Sequence, residues 1–220
     1  MAVGFDTQLY YVPATGTSFS TSLLTVGAGA NRALVVTTIE SANVSASLTV
    51  TWNGVPLTLV SSTSVDDGTN SAFMRIWALI NPAAGNFTLA GSWTGSASFV
   101  VGAVSYTGVD QTSVAVAFPH GATASGTSAT AGVTISSASG NAVVALFASA
   151  PAGPFLSTSG TNIYIDSVSL VPYVAASRDI GAASVSMTAP LTGSGTWVAA
   201  GCDVLASVDV NTNLMAQIWM

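Results

Sequence analysis

His120 is the only histidine in this 220-residue chain. A histidine acting as a base or a metal ligand needs partners at defined distances, and the local run Phe118-Pro119-His120-Gly121 reads as a turn. No G-x-S-x-G elbow is present, so a common serine-esterase signature is missing. The most oxygen-rich stretch is Asp66-Asp67-Gly68-Thr69-Asn70. Ca²⁺ takes clustered oxygen ligands, which makes Asp66, Asp67 and Asn70 the candidates for a hard cation. Their spacing is not that of an EF-hand loop, and Asp, Gly and Asn are also ordinary turn formers. Asp166, Asp179, Asp203 and Asp209 are scattered, and sequence offers no reason to choose two of them as a glycosidase pair. No catalytic residue, resident metal or cofactor is assigned on this reading, and a non-enzymatic protein is expected.

A different chemistry is suggested by residues 73–80, FMRIWALI. Successive side chains of a strand point to opposite faces, so Met74, Ile76, Ala78 and Ile80 form a core face. Phe73, Arg75, Trp77 and Leu79 form the other. An arginine between two aromatics suits a subunit interface, where Trp and Arg dominate binding energy, or stacking on a sugar. It suits equally a face covered by the domain's own second sheet, with Arg75 stacked on an aromatic ring.

The elements that would position these residues are strands. Helical periodicity is nearly absent, β-branched residues are frequent, and short runs are separated by Gly, Pro and Asn turns. Strands are expected over residues 4–12, 19–26, 33–41, 47–52, 55–61, 73–80, 87–93 and 99–107. In the second half they are expected over 131–136, 141–149, 162–167, 169–174, 184–188 and 195–206. Asn53-Gly54 supplies the two positive φ values of a type I′ turn and predicts a hairpin. Pro56 just after it cannot donate to a ladder and belongs at an edge or a strand end. The near-continuous apolar run 99–104 predicts a strand buried on both faces. Residues 121–130, GATASGTSAT, read as a small-residue loop. The predicted architecture is an all-β, antiparallel, jelly-roll-like sandwich of one domain. It comprises an N-terminal strand or arm (1–30), the sandwich (31–207) and an apolar C-terminal arm (208–220).

That last segment carries Leu214, Met215, Ile218 and Trp219. An apolar terminus has to be covered, either as a last strand docked on its own domain or as an arm added to a neighbour's sheet.

Composition narrows the partners. Half the residues are hydrophobic and 5% are charged, against about 25% in typical globular chains. The surface must therefore be built largely from Ser, Thr, Asn and Gly. Such a surface favours burial against copies of the same chain or a larger assembly over a freely dispersed monomer. The three basic residues are Arg32, Arg75 and Arg178, and the net charge is −6, which offers no basic patch for nucleic acid. Mean hydropathy is +0.62, yet no run approaches the ~18 apolar residues of a membrane-spanning helix. Alternating strands of an outer-membrane barrel would show a polar interior and aromatic girdles, whereas several runs here are apolar on both faces; membrane insertion is not expected. Neither is a secretory signal, since MAVGFDTQLYY lacks a basic and an apolar region.

Four stretches together resemble a known kind of domain: NRALVV (31–36), TWNGVPLTLV (51–60), IWALINPAAG (76–85) and VSYTGVDQ (104–111). They look like a β-sandwich domain of bacterial surface proteins and tailed-phage virion proteins, with the similarity running from about Asn31 to Ala206. The resemblance implies a jelly-roll-like module for display, attachment or decoration, with no catalytic residues to carry over. Without a signal peptide, the virion is the expected location, with a bacterial surface or extracellular location as the alternative. The expected partners are copies of the chain and other virion proteins. In the alternative, an adhesive module binds host-surface glycan.

Overall fold

The computed structural model describes residues 1–13, 15–41, 47–66, 72–149, 153–166 and 173–208. Its elements in chain order begin with β1 (Gly4–Tyr11), β2 (Gly16–Ser20), β3 (Leu24–Val26), β4 (Ala33–Glu40), β5 (Thr49–Trp52) and β6 (Val55–Pro56). There follow β7 (Thr58–Leu59), β8 (Val65–Asp66), β9 (Phe73–Ile80), β10 (Gly85–Phe87), β11 (Leu89–Ala97) and β12 (Phe99–Thr107). One helical turn, α1 (Val114–Ala117), leads to β13 (Gly121–Ser136), β14 (Ala142–Ser149), β15 (Thr161–Asp166), β16 (Tyr173–Ile180) and β17 (Ser184–Val204). The chain is nearly all β, and its antiparallel sheets stack as in a sandwich.

The middle layer is the sheet β1-β12-β4-β9-β7, with β8 also paired to β9. Its two faces are both core, as the apolar runs require. Ala33, Val35, Met74, Ile76, Val100 and Val104 face the second large sheet, β13-β17-β14-β16-β15. Their sequence neighbours Leu34, Val36, Trp77, Phe99 and Val101 face the small sheet β2-β11-β5-β6 and the pair β10-β3. At Gly102 the second large sheet comes close to the middle one. A Cβ there would lie 2.5 Å from Tyr164 Cε1 and 2.6 Å from Thr37 Oγ1. Beside it, Tyr10 of β1 stacks on Tyr164 of β15 at 4.8 Å and donates its phenolic hydrogen to Asp166.

The expected hairpin is present: Asn53 and Gly54 have φ of 47° and 77° and join Trp52 to its partner Val55. Pro56 lies on β6, the edge of its sheet. Three expected strands are broken in two because the chain changes layers within them. Residues 55–61 split at Leu57 into β6 and β7, which pair with different sheets. Residues 19–26 divide likewise into β2 and β3, and 87–93 into β10 and β11.

Residues 121–130 are not a loop. They begin β13, which pairs with β17 from Gly121↔Cys202 through Ser136↔Ser184, with one irregularity between Ser128 and Thr130. Strand formation here follows from cross-strand packing rather than residue propensity. Gly126 lies opposite Trp197, whose ring fills the space a Cβ would take (2.8 Å to Cζ2), and the indole N–H donates to Ser128 Oγ at 2.9 Å. The far half of this ribbon covers the outer face of the second large sheet: Ile135, Met187, Ala189 and Leu191 form a third core with Val143, Ala145 and Phe147. The expected strands 184–188 and 195–206 are accordingly one element, β17.

The N-terminal segment belongs to the body, since β1, β2 and β3 enter three different sheets. The C-terminal arm from residue 209 and the expected strand beginning at Ser169 lie outside the described residues or largely so. Among the described residues no helix is long and apolar enough to cross a membrane.

Candidate functional site

Phe73, Arg75 and Trp77 are buried, at 4, 4 and 8% exposure. They are therefore not available as an exposed interface or sugar platform; the face is covered by the small sheet. Among the described residues Arg75 stacks on no ring there. Its Nη1 donates to Glu40 Oε2, Thr38 Oγ1 donates to Glu40 Oε1 at 3.1 Å, and Trp77 Nε1 donates to Thr38 Oγ1 at 3.0 Å. Burial pushes the Glu40 carboxyl above the usual range, with Arg75 and the Thr38 hydroxyl pulling it part of the way back. β4 and β9 bring Glu40 opposite Phe73 and Thr38 opposite Arg75, so the chain's one glutamate and a central arginine meet across two adjacent strands.

Of the cation candidates, Asp66 is exposed at the end of β8, while Asp67 and Asn70 lie outside the described residues. Among the described residues no three His, Cys, Asp or Glu side chains group to hold a metal. Leu214, Met215, Ile218 and Trp219 also lie outside them.

His120 has a partner that sequence spacing did not reveal. Its Nδ1 lies 3.2 Å from Asp203 Oδ2, and Asp203 is buried while the imidazole is half exposed. Ser137 Oγ donates to Asp203 Oδ1 at 2.6 Å, and Asn141 Nδ2 donates to both carboxylate oxygens at 3.1 and 3.0 Å. In a hydrolytic triad the histidine stands between hydroxyl and carboxylate. Here the carboxylate stands between histidine and hydroxyl, an order that ties both ends of β13 and the start of β14 to the end of β17.

The second large sheet ends on one side in the long edge strand β13. It is the terminal strand of its sheet, sixteen residues long, paired among the described residues with β17 alone. Its sequence GATASGTSATAGVTIS has no charge and no proline. Natural edge strands are usually shielded by Lys, Pro, shortness or a covering segment; among the described residues this one carries the irregularity near Ser128 and, at its start, the close approach of the Ser61 carbonyl to Gly121. Thr123, Ser125 and Thr127 are exposed and alternate with the half-buried Ala122, Ala124 and Gly126. That period-two pattern of hydroxyl and small apolar residues was the signal available in the sequence.

A polar cleft of about 370 Å³ lies among Asn31, Asp110, Gln111, Thr112, Ser207 and Val208. Gln111 Nε2 donates to the carbonyls of Arg32, Val109 and Asp110, at 3.0, 3.0 and 3.3 Å. Three acceptors fix the amide's orientation; among the described residues its buried Oε1 and the buried Ser207 Oγ have no hydrogen-bond partner.

Compared with known proteins, the chain matches no family model and no curated sequence.

Proposed function

We propose that the chain is a non-enzymatic structural protein of a tailed-phage virion, a capsid decoration or head/tail appendage. It joins copies of itself or other virion proteins by adding a strand at the β13 edge, and it reaches the virion from the host cytoplasm where particles assemble. The observation that carries the reading is the long, uncharged, singly paired edge of β13. Strand addition to such an edge takes its affinity from main-chain hydrogen bonds and needs no charged side chains, which suits a surface with 5% charged residues. The apolar segment 208–220 is a suitable donor, because it needs cover of its own. Deleting 209–220 should abolish self-association while leaving the β-rich circular dichroism spectrum unchanged. Unaltered assembly of the truncated chain would reject the arm as donor.

The second reading is an adhesive module for cell-surface glycan, and the cleft beside Gln111 favours it, since Asn31, Asp110, Gln111 and Thr112 in its lining are side chains of the kind that hydrogen-bond sugar hydroxyls. Binding on a glycan array that is lost in Asp110→Ala would support it, and an array without binding would reject it.

A further inference from the structure

Between the starts of β1 and β15 and the end of β16 lies a cavity of about 140 Å³, lined by Val3, Phe5, Tyr106, Ala142, Arg178 and Ile180, with Asn141, Thr161 and Asp179 completing it. Arg178 is the one basic residue here. Its guanidinium lies 3.7 Å from the centroid of the Phe5 ring, and among the described residues its buried Nε has no hydrogen-bond partner. The Tyr106 hydroxyl, on a residue 2% exposed, likewise has none among them. Burial holds that phenol well above its ordinary range, so it remains a donor at any physiological pH. The remaining polar groups are already engaged or face outward. Asn141 gives its amide hydrogens to Asp203 and accepts from the Ala206 N–H. Asp179 accepts from the Ile180 N–H, and Thr161 is exposed.

Two buried donors unpaired among the described residues, one of them on a guanidinium, call for an acceptor bearing negative charge. The rest of the wall is apolar: Val3, Phe5, Ala142 and the highly exposed Ile180 at 80%. A cavity of ~150 Å³ holds a benzene-sized group, so there is room for more than a bare ion. We propose that this cavity is a binding site for a small organic carboxylate, its charged end on Arg178 and Tyr106 and its apolar body against Phe5 and Ile180. The Asp179 carboxylate at the rim selects against dianions.

The test is titration of the full chain with butyrate, benzoate, acetate and inorganic phosphate, followed by the methyl resonances of Val3 and Ile180. Benzoate and butyrate should saturate and shift both methyls, acetate should bind more weakly and phosphate least. Tyr106→Phe should fold normally, because it removes a hydroxyl with no partner, and should weaken benzoate about tenfold. Arg178→Gln should abolish saturation, and Arg178→Lys should recover part of it. No saturation by any carboxylate in the unsubstituted chain would overturn the proposal, leaving a cavity filled by water alone. Phosphate binding as tightly as benzoate would overturn the carboxylate assignment.

Discussion

Arg75→Met offers the sharpest physical test of the stacked layers, because it removes one partner of an ion pair sealed between two sheets. Glu40 and Arg75 are 0 and 4% exposed, so the carboxylate left behind cannot be rehydrated without opening the core. Breaking a buried pair from one side costs about 3–5 kcal/mol. At about 2–4 °C per kcal/mol for a chain of this size, the melting temperature should fall by roughly 6–20 °C. The loss should depend on pH. Burial already raises the Glu40 carboxyl above its unfolded value. A group raised in the folded state contributes stability that is complete below the unfolded pKa and is lost as pH rises through the folded one. Without Arg75 the carboxyl rises further, so the deficit should be small near pH 4 and grow toward pH 8. In Glu40→Met/Arg75→Met both charges are gone. Thr38 keeps Trp77 as donor and loses only its acceptor, so the double variant should lie within about 2 kcal/mol of the parent. Urea unfolding of the parent, Arg75→Met, Glu40→Met and the double variant at both pH values measures this cycle. An Arg75→Met deficit under about 1 kcal/mol, or one that does not change with pH, would refute a buried pair and return this face to the solvent.

The remaining predictions concern the other contacts between layers. Gly102→Ala should cost about 1–3 kcal/mol by overpacking, since its Cβ would meet Tyr164 and Thr37 within 2.6 Å; an unchanged urea midpoint would place the sheets further apart than described. Asp203→Asn should cost about 2–4 kcal/mol, because the Asn141 amide would then face a donor in place of one carboxylate oxygen. A melting temperature within 2 °C of the parent, a loss of about 0.5–1 kcal/mol for a chain of this size, would contradict the knot at His120. Cys202 is fully buried and its thiol is pushed up by burial and by Asp203. It should therefore react with a disulfide reagent only at the rate of unfolding, and fast native-state labelling would contradict its place in the core.

Much of the architecture was legible because both core faces are written in period two. Phe73 to Ile80 separates into two faces without ambiguity, and the apolar run from Phe99 marks a strand buried on both sides. What sequence could not show is which layer covers each face. That is why Phe73, Arg75 and Trp77 remained open between an interface and a covered sheet, and why the Glu40 partner went unread: the two residues are 35 positions apart. The β13 segment misled for another reason. Gly and Ala have weak strand preference, and the Trp197 ring across the ladder is what makes Gly126 a strand position. Asp203 looked scattered because its partners Ser137, Asn141 and His120 approach from two other strands' ends.

The proposal of assembly through β13 meets its most direct test in solution mass, measured by light scattering after size exclusion. The full chain should run as a discrete oligomer. Ser125→Lys/Thr127→Lys, which places charge on exposed positions of the edge as natural edges do, should run as a folded monomer. A full chain that is monomeric at every concentration tested, or an oligomer indifferent to both lysines, would contradict strand addition at this edge.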